Sequence, residues 1–222
     1  MSDPKLPEAV LFDLDGTLVD SERENVESVV LAARRYGVEL TEEERLFIVG
    51  HSWNEIHTTI TRNHDLHVGM HELIAAAVYE KQALLERSGF RVLPGAVALV
   101  SRLAERCKLA VVTGASRTEA EDALAGIGVR HFFAAVVAAE DYLRGKPAPD
   151  PYVQGLSLLG ARPSRSLAIE DATPGILAAR AAGLRVIAVK AGNFVGYDLS
   201  PADAVVDTLD AVTDALCGRL LG

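Results

Sequence analysis

Five short apolar runs punctuate the chain: Ala9 to Phe12, Leu109 to Val112, Ala134 to Ala138, Leu167 to Ile169 and Val186 to Val189. Apolarity in each is continuous rather than alternating, the pattern of strands buried on both faces of a parallel sheet. From the second run onward, helical patterns lie between them. Ala96 to Cys107 sets Val97, Val100, Leu103 and Ala104 on one face. Arg117 to Ile127 follows Ser116, which with Glu119 makes an S-x-x-E capping box. Asp150–Pro151 and Thr173–Pro174 each read as an N-cap followed by proline at the first helical position. Strand and helix alternate, so the pattern predicts an α/β fold with a doubly wound parallel sheet.

The interval between the first two runs breaks this rhythm. From Val19 to Ser88 the pattern is helical throughout. Asn25 to Arg35 brings Val26, Val29, Val30 and Ala33 together, and His71 to Arg87 gives another long helix. Thr41 followed by Glu42, Glu43 and Glu44 reads as an N-cap with acidic residues at the positive helix end. The chain returns through the turn residues Gly89 and Pro94–Gly95. Two domains are therefore expected: a core of residues 1–18 and 89–222, and a helical cap of residues 19–88 forming a lid over the sheet's carboxyl edge.

Composition narrows the function classes. With 222 residues, 49% of them hydrophobic, the chain is able to bury a full core. The formal net charge of -9 argues against a nucleic-acid partner. It does not argue against a small anionic substrate, because one lysine and one metal ion reverse the field within a pocket. No apolar run reaches the roughly 18 residues of a membrane span, and no targeting segment is read at the start of the sequence. The two cysteines, Cys107 and Cys217, have no metal-like spacing, so a cytoplasmic protein without disulfides is expected.

The chemistry-bearing residues gather at the ends of the predicted strands. Asp13-Leu14-Asp15-Gly16-Thr17 follows the first run directly. Residues i and i+2 of extended chain point the same way, so Asp13 and Asp15 project together where open α/β sheets place their ligands. Alone, such a stretch is equally a turn whose aspartates cap backbone amides. Three later segments weigh against that. Thr113-Gly114-Ala115-Ser116 puts a hydroxyl and a helix N-terminus after the second run, where amides suit phosphate oxygens, although Ser116 also serves as a plain cap. Lys146 stands in a proline-stiffened loop, Lys146-Pro147-Ala148-Pro149-Asp150-Pro151. Glu170-Asp171 follows the fourth run. Carboxylates on two strand ends with oxygen-rich surroundings select Mg²⁺.

In combination these segments resemble the haloacid dehalogenase superfamily from Val10 to about Val189: DLDGT at Asp13, then Thr113, then Lys146 in KPAPDP, then Glu170-Asp171. The run EDATPGILAARAAG is similar to the β-phosphoglucomutase and phosphoglycolate phosphatase branch, and the inserted helices match that branch's cap in position and length. The resemblance implies a Rossmann-like core and a phosphoric monoester hydrolase. Asp13 would be the nucleophile that becomes an aspartyl phosphate, and Asp15 the general acid and base. Mg²⁺ would be held by Asp13, the backbone carbonyl of Asp15 and Asp171. Thr113, Gly114 and Lys146 would hold the phosphoryl group, with Lys146 also keeping Asp13 ionised. Glu170 is left between binding the metal through water and supporting Lys146. The substrate class is a small phosphorylated metabolite, a sugar phosphate or one like phosphoglycolate.

Within the cap, Gly50-His51-Ser52-Trp53 resembles the loop by which such caps reach the active site, and Lys81 is placed to touch the leaving group. A helix–helix turn capped by Ser52 and a solvated Lys81 explain the same residues. His57, His64, His67 and His71 are spread around helices and a loop rather than spaced for a metal, and Lys190 reads as a surface residue. The runner-up is a phosphomutase using the same four motifs. A dehalogenase, which dispenses with the second aspartate and the metal, fits poorly, as does a silent phosphate-binding module. A dinucleotide-binding enzyme also fits poorly, since the first strand leads to DLDGT and not G-x-G-x-x-G. Whether the protein is a monomer or a dimer is left open.

Overall fold

Six parallel strands form one sheet in the order β3-β2-β1-β4-β5-β6: β1 (Ala9–Phe12), β2 (Lys108–Val112), β3 (Ala135–Val137), β4 (Ser166–Glu170), β5 (Arg185–Val189) and β6 (Ala204–Val206). The computed structural model describes residues 6–49 and 51–222. In the sheet β1 is central, with Leu11 paired to Ala110 of β2 on one side and Ala168 of β4 on the other. All four β1 side chains are fully buried, as continuous apolarity requires. The doubly wound α/β architecture expected from the sequence is observed. Strand β6 was not anticipated: it is a three-residue edge strand, half exposed and flanked by Asp203 and Asp207, so it carries no run long enough to stand out.

The chain divides into two units, one built from Met1–Asp20 and Arg91–Gly222, the other from Ser21–Phe90. The second is all helix: α1 (Glu22–Arg35), α2 (Glu42–Ile48), α3 (Trp53–Asn63) and α4 (Met70–Ser88). Its core collects Val29, Val30, Ile56, Ile60, Leu73 and Ala77. Thr41 caps α2 and Ser52 caps α3, each in a reciprocal box with the glutamate three residues on. Buried Glu44 accepts from Thr41, Asn63 and His64. Burial raises its pKa, but these donors outweigh that and hold it down at about 2. His57 meets the Val68 carbonyl and His67 meets Asp65.

In the sheet unit the flanking helices are α5 (Ala96–Ala104), α6 (Arg117–Gly126), α7 (Asp150–Leu159), α8 (Thr173–Ala181) and α9 (Asp214–Leu221). The Ser116–Glu119 capping box of α6 is present. The two proline-adjacent caps are not. Helix α7 already begins at Asp150, whose carboxylate is taken by Arg144, and α8 begins at Thr173, whose hydroxyl donates to the Asp198 carbonyl at 2.7 Å. Each proline thus stands one position further into its helix than expected. Lys190 pairs with Asp207 at an exposed site.

Helix α7 lies against the sheet at Gly155, where an added Cβ would come within 2.7 Å of Leu11 Cδ2 and 3.1 Å of Val112 Cγ2. Those neighbours are fully buried and have little room to give. Gly155→Val is expected to cost about 1–3 kcal/mol by overpacking, read as a lower urea midpoint. An unchanged midpoint would show that α7 does not seat here.

Candidate active site

The central strand carries the first acid out of the sheet. Asp13 N still donates to the Ile169 carbonyl at 2.9 Å, so Asp13 is fixed as an extension of β1 between β2 and β4. Thr113 extends β2 in the same way, its amide bonded to the Val137 carbonyl at 2.9 Å. Glu170 closes β4, Asp171 follows it, and Lys146 enters from the loop between β3 and α7. Gly16 turns the chain after Asp15 at φ 77°, a conformation that favours glycine. A Cβ there would also overlap the Asp171 carboxylate, and one at Gly192 would overlap the Gly16 carbonyl. Three segments therefore close on one another with no room for side chains at the glycines.

Lys146 is the hub of the cluster. Its Nζ lies 2.5 Å from Asp13 Oδ1 and 2.6 Å from Glu170 Oε1. Carboxylate oxygens of Asp13, Glu170 and Asp171 all lie within 4.8 Å of one another. Thr113 Oγ1 is 3.4 Å from Asp15 Oδ2, which ties the second aspartate to the end of β2. The structure thus brings Asp13, Asp15, Thr113, Lys146, Glu170 and Asp171 together.

The amides after Thr113 are less available than their sequence suggested. Ala115 N is used by Thr113 Oγ1, Ser116 N by Glu119 and Arg117 N by Glu140. Gly114 N remains as the donor of this run without a protein acceptor among the described residues, and the space where a Gly114 Cβ would stand is open. Tyr142 OH holds the Thr113 carbonyl at 2.9 Å.

Three buried carboxylates face one ammonium, so full ionisation would leave two negative charges uncompensated. Burial pushes Asp13 up to about 7; Lys146 opposes this, while Glu170 and Asp15 add to it. Lys146 thus pulls Asp13 toward its ionised form, against the burial that raises it. Asp171 is pushed up to about 9 by burial and then by Asp13 and Glu170. Lys146 is pushed above its ordinary range because Asp13 and Glu170 outweigh its own burial, so it stays charged. A divalent cation would compensate this charge, and a donor set made only of oxygens suits Mg²⁺.

Sequence reasoning missed Tyr152 and Gly175. Tyr152 is fully buried and its OH donates to Glu170 Oε1 at 2.6 Å. A Cβ at Gly175 would overlap the same carboxylate. The cap residues belong to the helical unit: exposed His51 stacks on Phe47 with centroids 3.8 Å apart, Ser52 caps α3, and Lys81 lies on α4. Gly50 lies outside the described residues.

A family model described as haloacid dehalogenase-like hydrolase matches residues 10–189. The chain belongs to this family. Hexitol phosphatase A of Escherichia coli (strain K12) is 37% identical over 91% of this chain and 92% of its own length. Validoxylamine A 7'-phosphate phosphatase of Streptomyces hygroscopicus subsp. limoneus is 34% identical over 78% and 81%. The crystal structure of CbbY from Rhodobacter sphaeroides in complex with phosphate superimposes with a TM-score of 0.75 at 26% identity, covering 93% of this chain and 96% of that one. The expectation of a phosphoric monoester hydrolase of the haloacid dehalogenase superfamily is borne out by these relatives. Members of the superfamily generally use Mg²⁺. Among the described residues, no helix is long and apolar enough to cross a membrane.

The raised carboxylates set a pH dependence. Asp13 and Asp171 hold protons more tightly folded than unfolded, so their contribution to stability is full below the ordinary carboxylate pKa of 3.8 and is lost as pH rises through about 7 and 9. Metal-free protein is expected to melt lower at about pH 8 than at about pH 5, and Mg²⁺ to raise the melting temperature more at the higher pH, where it replaces departing protons. Asp171→Ala should remove most of that Mg²⁺ shift. A shift of equal size at both pH values would contradict the charge balance described.

Proposed function

We propose that the protein is a Mg²⁺-dependent phosphatase that hydrolyses a small phosphorylated metabolite, a sugar phosphate or a compound of similar size such as phosphoglycolate. The contact of Lys146 Nζ with Asp13 Oδ1, beside a second aspartate held at Thr113, carries this reading. The names of the two relatives, a hexitol phosphatase and a validoxylamine 7'-phosphate phosphatase, favour a sugar-like substrate.

In this reading an Asp13 oxygen attacks phosphorus while Asp15 gives its proton to the departing ester oxygen. Water then attacks the aspartyl phosphate, Asp15 takes the water's proton, and phosphate leaves with Asp13 restored. Lys146, Thr113 and the Gly114 amide hold the phosphoryl oxygens. Asp13 and Asp171 would hold Mg²⁺, together with the Asp15 backbone carbonyl that the family resemblance implies. When bound, the ion neutralises charge among the reacting oxygens. Glu170, its Oε1 taken by Lys146 and Tyr152, is assigned to supporting the lysine. The resemblance gives the choice of substrate to the helical unit, through His51, Ser52 and Lys81.

Asp13→Asn nearly keeps shape but removes the nucleophile, so a loss of at least ~10³-fold in phosphate release is expected with the fold intact. A purified variant retaining a tenth of wild-type turnover would show that Asp13 is not the nucleophile.

For the helical unit, the measurement is a panel of sugar phosphates, phosphoglycolate, glycerol phosphates and nucleotides assayed with Mg²⁺. Lys81→Ala should reorder the panel, with acidic substrates losing most, because an ammonium pairs with a second anionic group. p-Nitrophenyl phosphate should change much less. An equal loss across all substrates would assign Lys81 to folding instead. Ser52→Ala is the weaker probe, since it also removes the α3 cap.

A further inference from the structure

Helix α7 opens Asp150-Pro151-Tyr152, and Gly155 follows Tyr152 by three residues, on the same helical face. The missing side chain at Gly155 lets that face close on Leu11 and Val112, leaving the Tyr152 ring wholly buried. A buried tyrosine hydroxyl needs a partner, and this one takes an oxygen that already has one. Glu170 Oε1 accepts from Tyr152 OH at 2.6 Å and from Lys146 Nζ at 2.6 Å. Lys146 Nζ also stands 5.3 Å from the centre of the Tyr152 ring, within cation–π range. Glu170 is confined on its other flank by helix α8, where Gly175 leaves no room even for a Cβ.

We propose that Tyr152 is a positioning residue for the phosphoryl-transfer reaction, fixing Glu170 so that Lys146 is shared with Asp13 rather than captured by Glu170. The proposal rests on the roles assigned above to Asp13 and Lys146. A lysine reaches its target on a flexible four-carbon stem, and nothing in the stem itself sets its direction. Here the ring limits where the ammonium sits, and the hydroxyl takes up part of the acceptor strength of Oε1. Without the hydroxyl, a buried carboxylate would have Lys146 as the donor to Oε1 and would draw it away from Asp13. The loss falls on the transfer step, because Thr113 and Gly114 still hold the phosphoryl group while Asp13 loses its share of the lysine, so kcat changes more than KM.

The test is a double-mutant cycle read in kcat for p-nitrophenyl phosphate at saturating Mg²⁺. Tyr152→Phe keeps the ring and the packing, and should lower kcat about tenfold, the scale of one hydrogen bond to a charged group, with KM within about twofold. In a Glu170→Gln background the same change should alter kcat by less than about twofold, since the tyrosine acts through the glutamate. Equal losses in both backgrounds, or a folded Tyr152→Phe with kcat within about twofold of wild type, overturn the proposal. Should Tyr152→Phe fail to fold, Glu170→Gln alone decides: a fall of about tenfold at little-changed KM supports the arrangement, and an unaltered kcat overturns it. Failure of the underlying reading looks different. It would be a wild-type protein that releases no phosphate from any ester, or an Asp13→Asn variant that still turns over.

Discussion

One ammonium among three buried carboxylates is the constraint on which the site depends. Lys146 lies within 2.6 Å of both Asp13 and Glu170, with Asp171 close behind. Like charges gathered out of water repel, and each loses its hydration, so such a cluster persists only if the surrounding structure holds it in place. The fold does so from several directions. Asp13 and Thr113 are anchored by ladder hydrogen bonds beyond the ends of β1 and β2, while Glu170 is itself part of β4. Glycines at 16 and 175 let the neighbouring segments close on the Asp171 and Glu170 carboxylates, and Gly192 lets its own segment close on the Gly16 backbone. Burial first, and the neighbouring carboxylates after it, lift Asp13 and Asp171, and in the proposed reading a divalent cation would balance their charge.

Sheet order explains why these groups meet. β1 lies between β2 and β4, so the residues that follow those three strands emerge side by side although they are far apart in sequence. A ligand at the carboxyl edge of such a sheet is read by strand ends and loops, which vary without disturbing the buried interior. The polar residues past each strand are thus free to carry chemistry, while the apolar runs before them carry stability.

Much of this was legible before any coordinates. The five apolar runs identify the four interior strands and the mostly buried edge strand β3 because burial leaves a continuous signature, and β6 escaped because a half-exposed three-residue strand does not. Three of the four motif segments were legible because each sits where a strand stops, and Lys146 because prolines stiffen its loop. Tyr152 was not. Its partner lies 18 positions away, and the contact depends on how closely α7 seats on the sheet at Gly155. Nor did the sequence reveal that most amides at the start of α6 are already used, since Glu140 reaches Arg117 N from 23 residues on. Ser52 shows the opposite limit. The same residue suits a cap and a ligand contact, and local pattern alone does not choose between them.

The central claim is that Asp13 itself becomes phosphorylated during turnover. Enzyme quenched while hydrolysing substrate, treated with borohydride and mapped by peptide mass spectrometry, tests this without relying on a variant. An aspartyl phosphate is reduced to homoserine, whereas a free carboxylate is not. The account predicts homoserine at position 13 in a substrate-dependent amount. An unmodified Asp13 under conditions of steady turnover, or reduction at Asp15 or Asp171 instead, would contradict it.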